Sequence, residues 1–228
     1  MGNNFEIKRE RLMFSLLAFL ALLWGCGHEP ALFRAVRSND VVAVKKLLDQ
    51  GANVNEKNAS GESPLMIAAA VSNVDIVRIL LDKKADLHAT DNNGYEALLL
   101  AAGRGQTENV KALLDGGADV NAVTPSKYTA LMAAADRGWS ETARALIARG
   151  AEVNAKTSQG FTALMSAVWG RDLRTVEVLM DAGADTSLRN NKGETALMIA
   201  EGLNESSIVK ALSTKVGSAN SKEGAGPP

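Results

Sequence analysis

The chain is 228 residues long, 46% hydrophobic and 22% charged, with a formal net charge of -1. That balance fits a soluble body with a core and excludes binding driven by phosphate neutralisation, which needs a strong basic excess. No apolar run reaches the ~18 residues that a membrane-spanning helix requires.

The first element is the apolar run Leu12 to Trp24, 13 residues long and preceded by Lys8, Arg9 and Arg11. A basic start followed by a short apolar stretch is the layout of a secretory signal. The run ends in Leu23-Trp24-Gly25-Cys26, and Cys26 is the only cysteine, so no internal disulfide can form. This ending resembles a bacterial lipobox, in which a Leu three residues before a Cys and a Gly just before it direct lipid to the thiol. Trp24 is bulkier than that position usually carries. The resemblance implies a signal peptide over 1–25, a lipid on Cys26, a short tether over 26–29 and a membrane of the bacterial envelope, periplasmic or outer-membrane. Gly27 after the cysteine, in place of Asp, is compatible with the outer membrane. The alternative is a plain cleaved signal, leaving a periplasmic or secreted protein. Myristoylation is excluded, because Glu6 stands where Ser or Thr is wanted after Met1-Gly2.

From there on the chain repeats itself every 33 residues. Gly61-Glu62-Ser63-Pro64-Leu65-Met66 recurs as Gly94-Tyr95-Glu96-Ala97-Leu98-Leu99 and Lys127-Tyr128-Thr129-Ala130-Leu131-Met132. It returns as Gly160-Phe161-Thr162-Ala163-Leu164-Met165 and Gly193-Glu194-Thr195-Ala196-Leu197-Met198. A second phrase keeps phase with it, from Leu47-Leu48 and Gly51-Ala52 to Leu179-Met180 and Gly183-Ala184. A fixed period without insertions specifies a stack of identical supersecondary units.

These phrases resemble ankyrin repeats, a family with a 33-residue period and a Thr-Pro-Leu-His-x-Ala signature. Here Met or Leu stands in place of the His, and Ala usually replaces the Pro. The resemblance implies an all-α solenoid of helix-turn-helix units joined by extended β-turn loops. It spans 30–216 as four full repeats between two partial capping repeats.

Within each unit, Ser63, Thr129, Thr162 and Thr195 are placed to cap the first helix through their hydroxyls, and Pro64 suits the first helical position. Glu96 breaks that pattern, and its carboxylate is expected to favour the positive end of the helix. Alanines at 68, 101, 134, 167 and 200 allow close helix approach, and leucines at 65, 98, 131, 164 and 197 form the apolar plug. The second helix ends at Gly51, Gly117, Gly150 and Gly183, where a left-handed residue is expected. Lys84 occupies that column once and marks a strained, weak joint at a cost of about 1 kcal/mol. Gly/Ser/Pro-rich composition predicts a disordered tail over 217–228.

Chemistry is sparse. His28 and Cys26 offer two ligands, short of a metal site, and His88 shares a turn column with Asn55, Asn121 and Asn154. Met66, Met132, Met165 and Met198 recur at the repeat period, as packing residues do. No catalytic residue, metal or cofactor is expected, and the chain reads as a non-enzyme. The strongest functional signal is a row after each turn residue: Glu62, Tyr95, Tyr128, Phe161 and Glu194. A second row at the end of the first helices holds Arg104, Asp136, Arg137 and Trp169, with Trp139 nearby. In the family both rows face the concave side, and aromatic and Arg side chains dominate binding hot spots. Tyr95, Arg104, Tyr128, Arg137, Trp139, Phe161 and Trp169 are therefore the expected partner-binding residues. The implied partner is a protein rather than a nucleic acid, bound by a monomer. The alternative is an immunity or inhibitor protein that blocks a secreted toxin or enzyme.

Cys26→Ser should abolish lipid incorporation and leave the chain unprocessed or released. Intact-mass analysis of the membrane-extracted protein checks this. A mature N-terminus elsewhere, with an unmodified Cys26, would overturn the anchor.

Overall fold

The computed structural model describes residues 29–71 and 73–223, with side chains through residue 214. The signal-like segment, Cys26, His28 and residues 224–228 lie outside the described residues. Among the described residues twelve helices follow in pairs. They are α1 (Ala31–Arg37) and α2 (Val41–Asp49), α3 (Pro64–Val71) and α4 (Val74–Asp82), and α5 (Ala97–Gly103) and α6 (Thr107–Asp115). The second half holds α7 (Ala130–Asp136) and α8 (Ser140–Ala148), α9 (Ala163–Gly170) and α10 (Leu173–Asp181), and α11 (Ala196–Gly202) and α12 (Ser206–Glu223). Extended fingers join the pairs at 52–63, 85–96, 118–129, 151–162 and 184–195. Only an isolated antiparallel bridge, Val123 with Thr129, interrupts the all-α character among these residues.

Helices of seven to nine residues are too short to persist alone in water. They stand because each pair covers its neighbour. Leu65, Leu98, Leu131 and Leu164 are buried to 1% exposure or less, and burying each contributes about 1.5–3 kcal/mol. Ala68, Ala101, Ala134, Ala167 and Ala200 are fully buried between the first helices, so those helices approach closely. The first helices touch one another more extensively than the second helices do. The stack therefore bends toward the first helices, which line the inner side. In the last described pair Leu197 is half-buried and Met198 is 47% exposed, unlike the buried Met66, Met132 and Met165.

Helix starts follow the sequence. The hydroxyls of Ser63, Thr129, Thr162 and Thr195 accept from the backbone N–H three residues on, at 3.2–3.3 Å. The last helix runs past residue 216, so 217–223 is helical where composition predicts disorder. Once a helix is nucleated, each further residue adds one hydrogen bond for one residue fixed, and a single Gly217 does not outweigh that.

Fingers are tied to one another. Asn55, Asn121 and Asn154 accept, through Oδ1, from the backbone N–H of Asp86, Glu152 and Asp185 at 2.8–2.9 Å. Near the tips, the N–H groups of Asn92, Ser158 and Asn191 donate to Ser60, Ser126 and Gln159 carbonyls at 2.9–3.1 Å. The joint between the 85–96 and 118–129 fingers is different. His88 replaces the asparagine, and Pro125 stands in the column of Asn92, Ser158 and Asn191 with no N–H to donate. The same finger begins at Lys84, which has φ +62°, among glycines at +84 to +99° in its column. The expected weak joint is thus left-handed at Lys84 and also short of two ties.

Lys84→Gly should stabilise the array by roughly 0.5–1 kcal/mol, by removing side-chain strain at a left-handed position. Urea unfolding measures it, and a midpoint that is unchanged or lower would sink the argument.

Candidate protein-binding face

Each finger closes on itself before it reaches the inner helix. The residue that opens the turn (Asn58, Asp91, Thr124, Thr157 or Asn190) accepts through its side-chain oxygen from the backbone N–H four residues on. The backbone returns the bond, from the N–H of the opening residue to the carbonyl of that same later residue. These later residues are Glu62, Tyr95, Tyr128, Phe161 and Glu194. Their Cα positions are therefore fixed by two hydrogen bonds each, and the rings project from a rigid base.

Tyr95, Tyr128 and Phe161 occupy the expected adjacent columns, but they are half-buried and packed against the core. The sequence places them on the surface; their lower halves belong to the fold. Val123, 53% exposed and bridged to the cap residue Thr129, adds an apolar side chain beside this row. Nothing in the repeated phrases marks it, because its column also holds Lys57, Thr90, Lys156 and Arg189.

The second row lies at the other end of the inner helices. Seven residues at about 1.5 Å each separate the rows by about 10 Å, so they flank one strip rather than forming a single pocket. Arg104 is half-exposed at the end of α5, and Arg137 sits 3.8 Å from the carboxylate of Asp136. Trp169 is half-buried at the end of α9. Trp139 reaches back one repeat, and its Nε1 donates to the Gly103 carbonyl at 3.2 Å. Its ring lies on Gly105, where an added Cβ would come within 2.5 Å of the indole. This tryptophan is first an inter-repeat tie, with its outer surface, 43% exposed, turned to solvent beside Arg104. Among the described residues no group of three His, Cys, Asp or Glu is placed to hold a metal ion. No described helix is long and apolar enough to cross a membrane.

With this geometry in view, the comparisons with known proteins are specific. A family model for ankyrin repeats (3 copies) matches residues 32–124 and 117–190. One similar solved structure is the Bd0816 predatory endopeptidase from Bdellovibrio bacteriovorus in complex with immunity protein Bd3460. The alignment has 32% identity and a TM-score of 0.73, and covers 82% of this chain and 98% of the other. The ankyrin repeat domain of Bcl-3, described as a unique member of the IkappaB protein family, aligns with 28% identity and a TM-score of 0.73. That alignment covers 82% of this chain and 86% of the other. A comparison with curated protein sequences finds no match.

One carboxylate beside the aromatic row is largely withdrawn from solvent. Glu96 follows Tyr95 and stands at the N-cap of α5, where its side chain makes no capping hydrogen bond. Glu96 Oε1 lies 3.8 Å from His88 Nδ1, and Oε2 is buried without a hydrogen-bond partner. Burial raises its pKa above the ordinary glutamate value; Asp119 and Asp86 push the same way, and His88 opposes them. A carboxyl whose folded pKa is raised binds its proton more tightly in the folded state. Its destabilisation is full above that raised value and is relieved as pH falls through it to the ordinary range. Glu96→Thr, which restores the hydroxyl of the neighbouring repeats, should stabilise by about 1 kcal/mol. It should also flatten the pH dependence of stability just above the ordinary glutamate range. Urea midpoints across that range test both, and a wild-type protein that loses stability on mild acidification would contradict the sign.

Proposed function

This chain belongs to the ankyrin-repeat family, and we propose that it is a non-catalytic module that binds a partner protein through its finger and inner-helix face. The single observation that carries this reading is the run of Tyr95, Tyr128 and Phe161 in adjacent repeats, each held by its own closed turn. A surface ordered in advance loses little conformational entropy on binding. Aromatic and Arg side chains are the types enriched among energetic anchors. Lipid on Cys26, with the chain in the bacterial envelope, belongs to the same proposal and is supported by the Leu23-Trp24-Gly25-Cys26 sequence. Such an anchor confines the module near its partner and raises their effective concentration.

A second reading is favoured by one specific observation. The likeness to the endopeptidase–immunity complex, across 82% of this chain, supports an inhibitor that covers the active site of a secreted or envelope enzyme. Binding would then have a blocking output, with the same face engaged.

The aromatic row provides the test. Because the rings are half-buried, Tyr95→Ala, Tyr128→Ala and Phe161→Ala together should lower stability by about 1 kcal/mol per ring. The loss in partner capture from envelope extracts, per folded molecule, should be larger, on the order of 2 kcal/mol apiece. Inhibition of peptidase activity in the same extracts would select the second reading. Capture preserved per folded molecule would show that the rings are structural.

A further inference from the structure

We propose that the array hinges at one joint, between the 85–96 and 118–129 fingers, so that Tyr95 moves with an N-terminal block and Tyr128 and Phe161 with a C-terminal one. The hinge is a property of the free protein and stands whether or not the rings meet a partner.

Three kinds of tie join neighbouring fingers, each recurring at the repeat period. In the first, the side-chain oxygen of Asn55, Asn121 or Asn154 accepts from the backbone of the next finger. The second is a backbone bond near the tips, from the N–H of Asn92, Ser158 or Asn191 to the finger before. The third is a lysine reaching forward to a carbonyl: Lys57 Nζ donates to Thr90 at 2.8 Å, and Lys156 Nζ to Arg189 at 3.1 Å. Fingers 52–63 and 85–96 share all three, as do 151–162 and 184–195. Fingers 118–129 and 151–162 share the first two.

Between 85–96 and 118–129 none of the three recurs among the described residues. His88 stands in the asparagine column, and Pro125 has no N–H to donate. Thr90 is too short to take the lysine's place. A fourth link lapses just behind them. Lys83 pairs with Asp49 at 2.7 Å and Arg149 with Asp115 at 2.6 Å, joining the ends of successive second helices. Gly116 occupies that column after α6 and carries no charge to pair with Asp82.

Packing remains. The Pro125 ring lies over Gly94, where an added Cβ would come within 2.5 Å of it. Such contact is non-directional and tolerates tilting, whereas a hydrogen bond fixes an angle. Each finger is internally stiff, closed by paired bonds between Asp91 and Tyr95 or between Thr124 and Tyr128. The freedom therefore falls between these fingers and not within them. The inner helices that follow are pinned, because Trp139 Nε1 donates to the Gly103 carbonyl at 3.2 Å and Leu98 and Leu131 are buried. A joint fixed at its inner edge and untied at its outer edge opens as a hinge, the fingers parting while the helices stay packed.

Double electron–electron resonance on the full chain carrying Cys26→Ser tests this. One nitroxide pair is placed through Ser60→Cys and Ser126→Cys, the other through Ser126→Cys and Lys192→Cys. All three positions are exposed and occupy the same point of their fingers. Both pairs lie two repeats apart, and only the first spans the untied joint. Its distance distribution should be wider than that of the second by more than the spread the labels add to both. His88→Asn with Pro125→Asn should narrow it to the width of the second pair. Asn92 lies on Gly61 as Pro125 lies on Gly94, so the exchange keeps the packing and supplies the N–H. Thr90→Lys, at an exposed site, restores the third tie independently and should narrow the distribution part of the way.

Equal widths for the two pairs would overturn the hinge. So would a wider first pair that neither the double substitution nor Thr90→Lys narrows, since the missing ties would then not set the spacing. If the double substitution disturbs folding, Thr90→Lys alone decides.

Discussion

Everything in this molecule depends on the close contact between first helices of neighbouring repeats. A helix pair of this length cannot bury its own apolar surface, so each repeat is completed only by the next. The fully buried alanines at 68, 101, 134, 167 and 200 set how near the helices come. Larger side chains there would push the inner layer apart and straighten the stack. Curvature toward the inner helices follows from that spacing, and with it the existence of a concave side. Interaction surface and core packing are therefore two consequences of one column of small residues.

The fingers add a second level of order. Their hydrogen bonds run within each turn and from one finger to the next, so the row of rings is held by backbone rather than by loop side chains. Where the ties are missing, at His88 and Pro125, the joint falls beside Lys84 and Glu96, and next to Tyr95. Four local departures thus gather at one finger joint, in the first of the three aromatic columns. Local conflicts that sit together near a binding surface are characteristic of sites where fold and function compete.

The repeat architecture was legible because the 33-residue phase is read directly from residues that must be identical: the plug leucine, the small alanine, the capping hydroxyl and the left-handed glycine. Lys84 could be recognised as strained for the same reason, as the single exception in a glycine column. What the period does not encode is where a side chain goes when its column is variable. Glu96 stands at the start of α5, and the approach of its carboxylate to His88 has no signal in the period. Trp139 looked like a free anchor, and its N–H turns out to close a gap over Gly103. Val123 carried no signal, because its exposure depends on a finger geometry that neighbouring columns share with Lys and Thr.

Charge plays a smaller part than packing in this order. Inter-repeat ion pairs on the second helices are exposed, and each contributes little, about 0–1 kcal/mol. On the finger side, Lys57 and Lys156 donate to the Thr90 and Arg189 carbonyls, while Glu62, Asp91 and Glu194 accept from amide N–H groups. These bonds orient the side chains and leave both signs of charge in place. The fingers are therefore held by geometry, and the half-buried rings, not a net charge, distinguish the face.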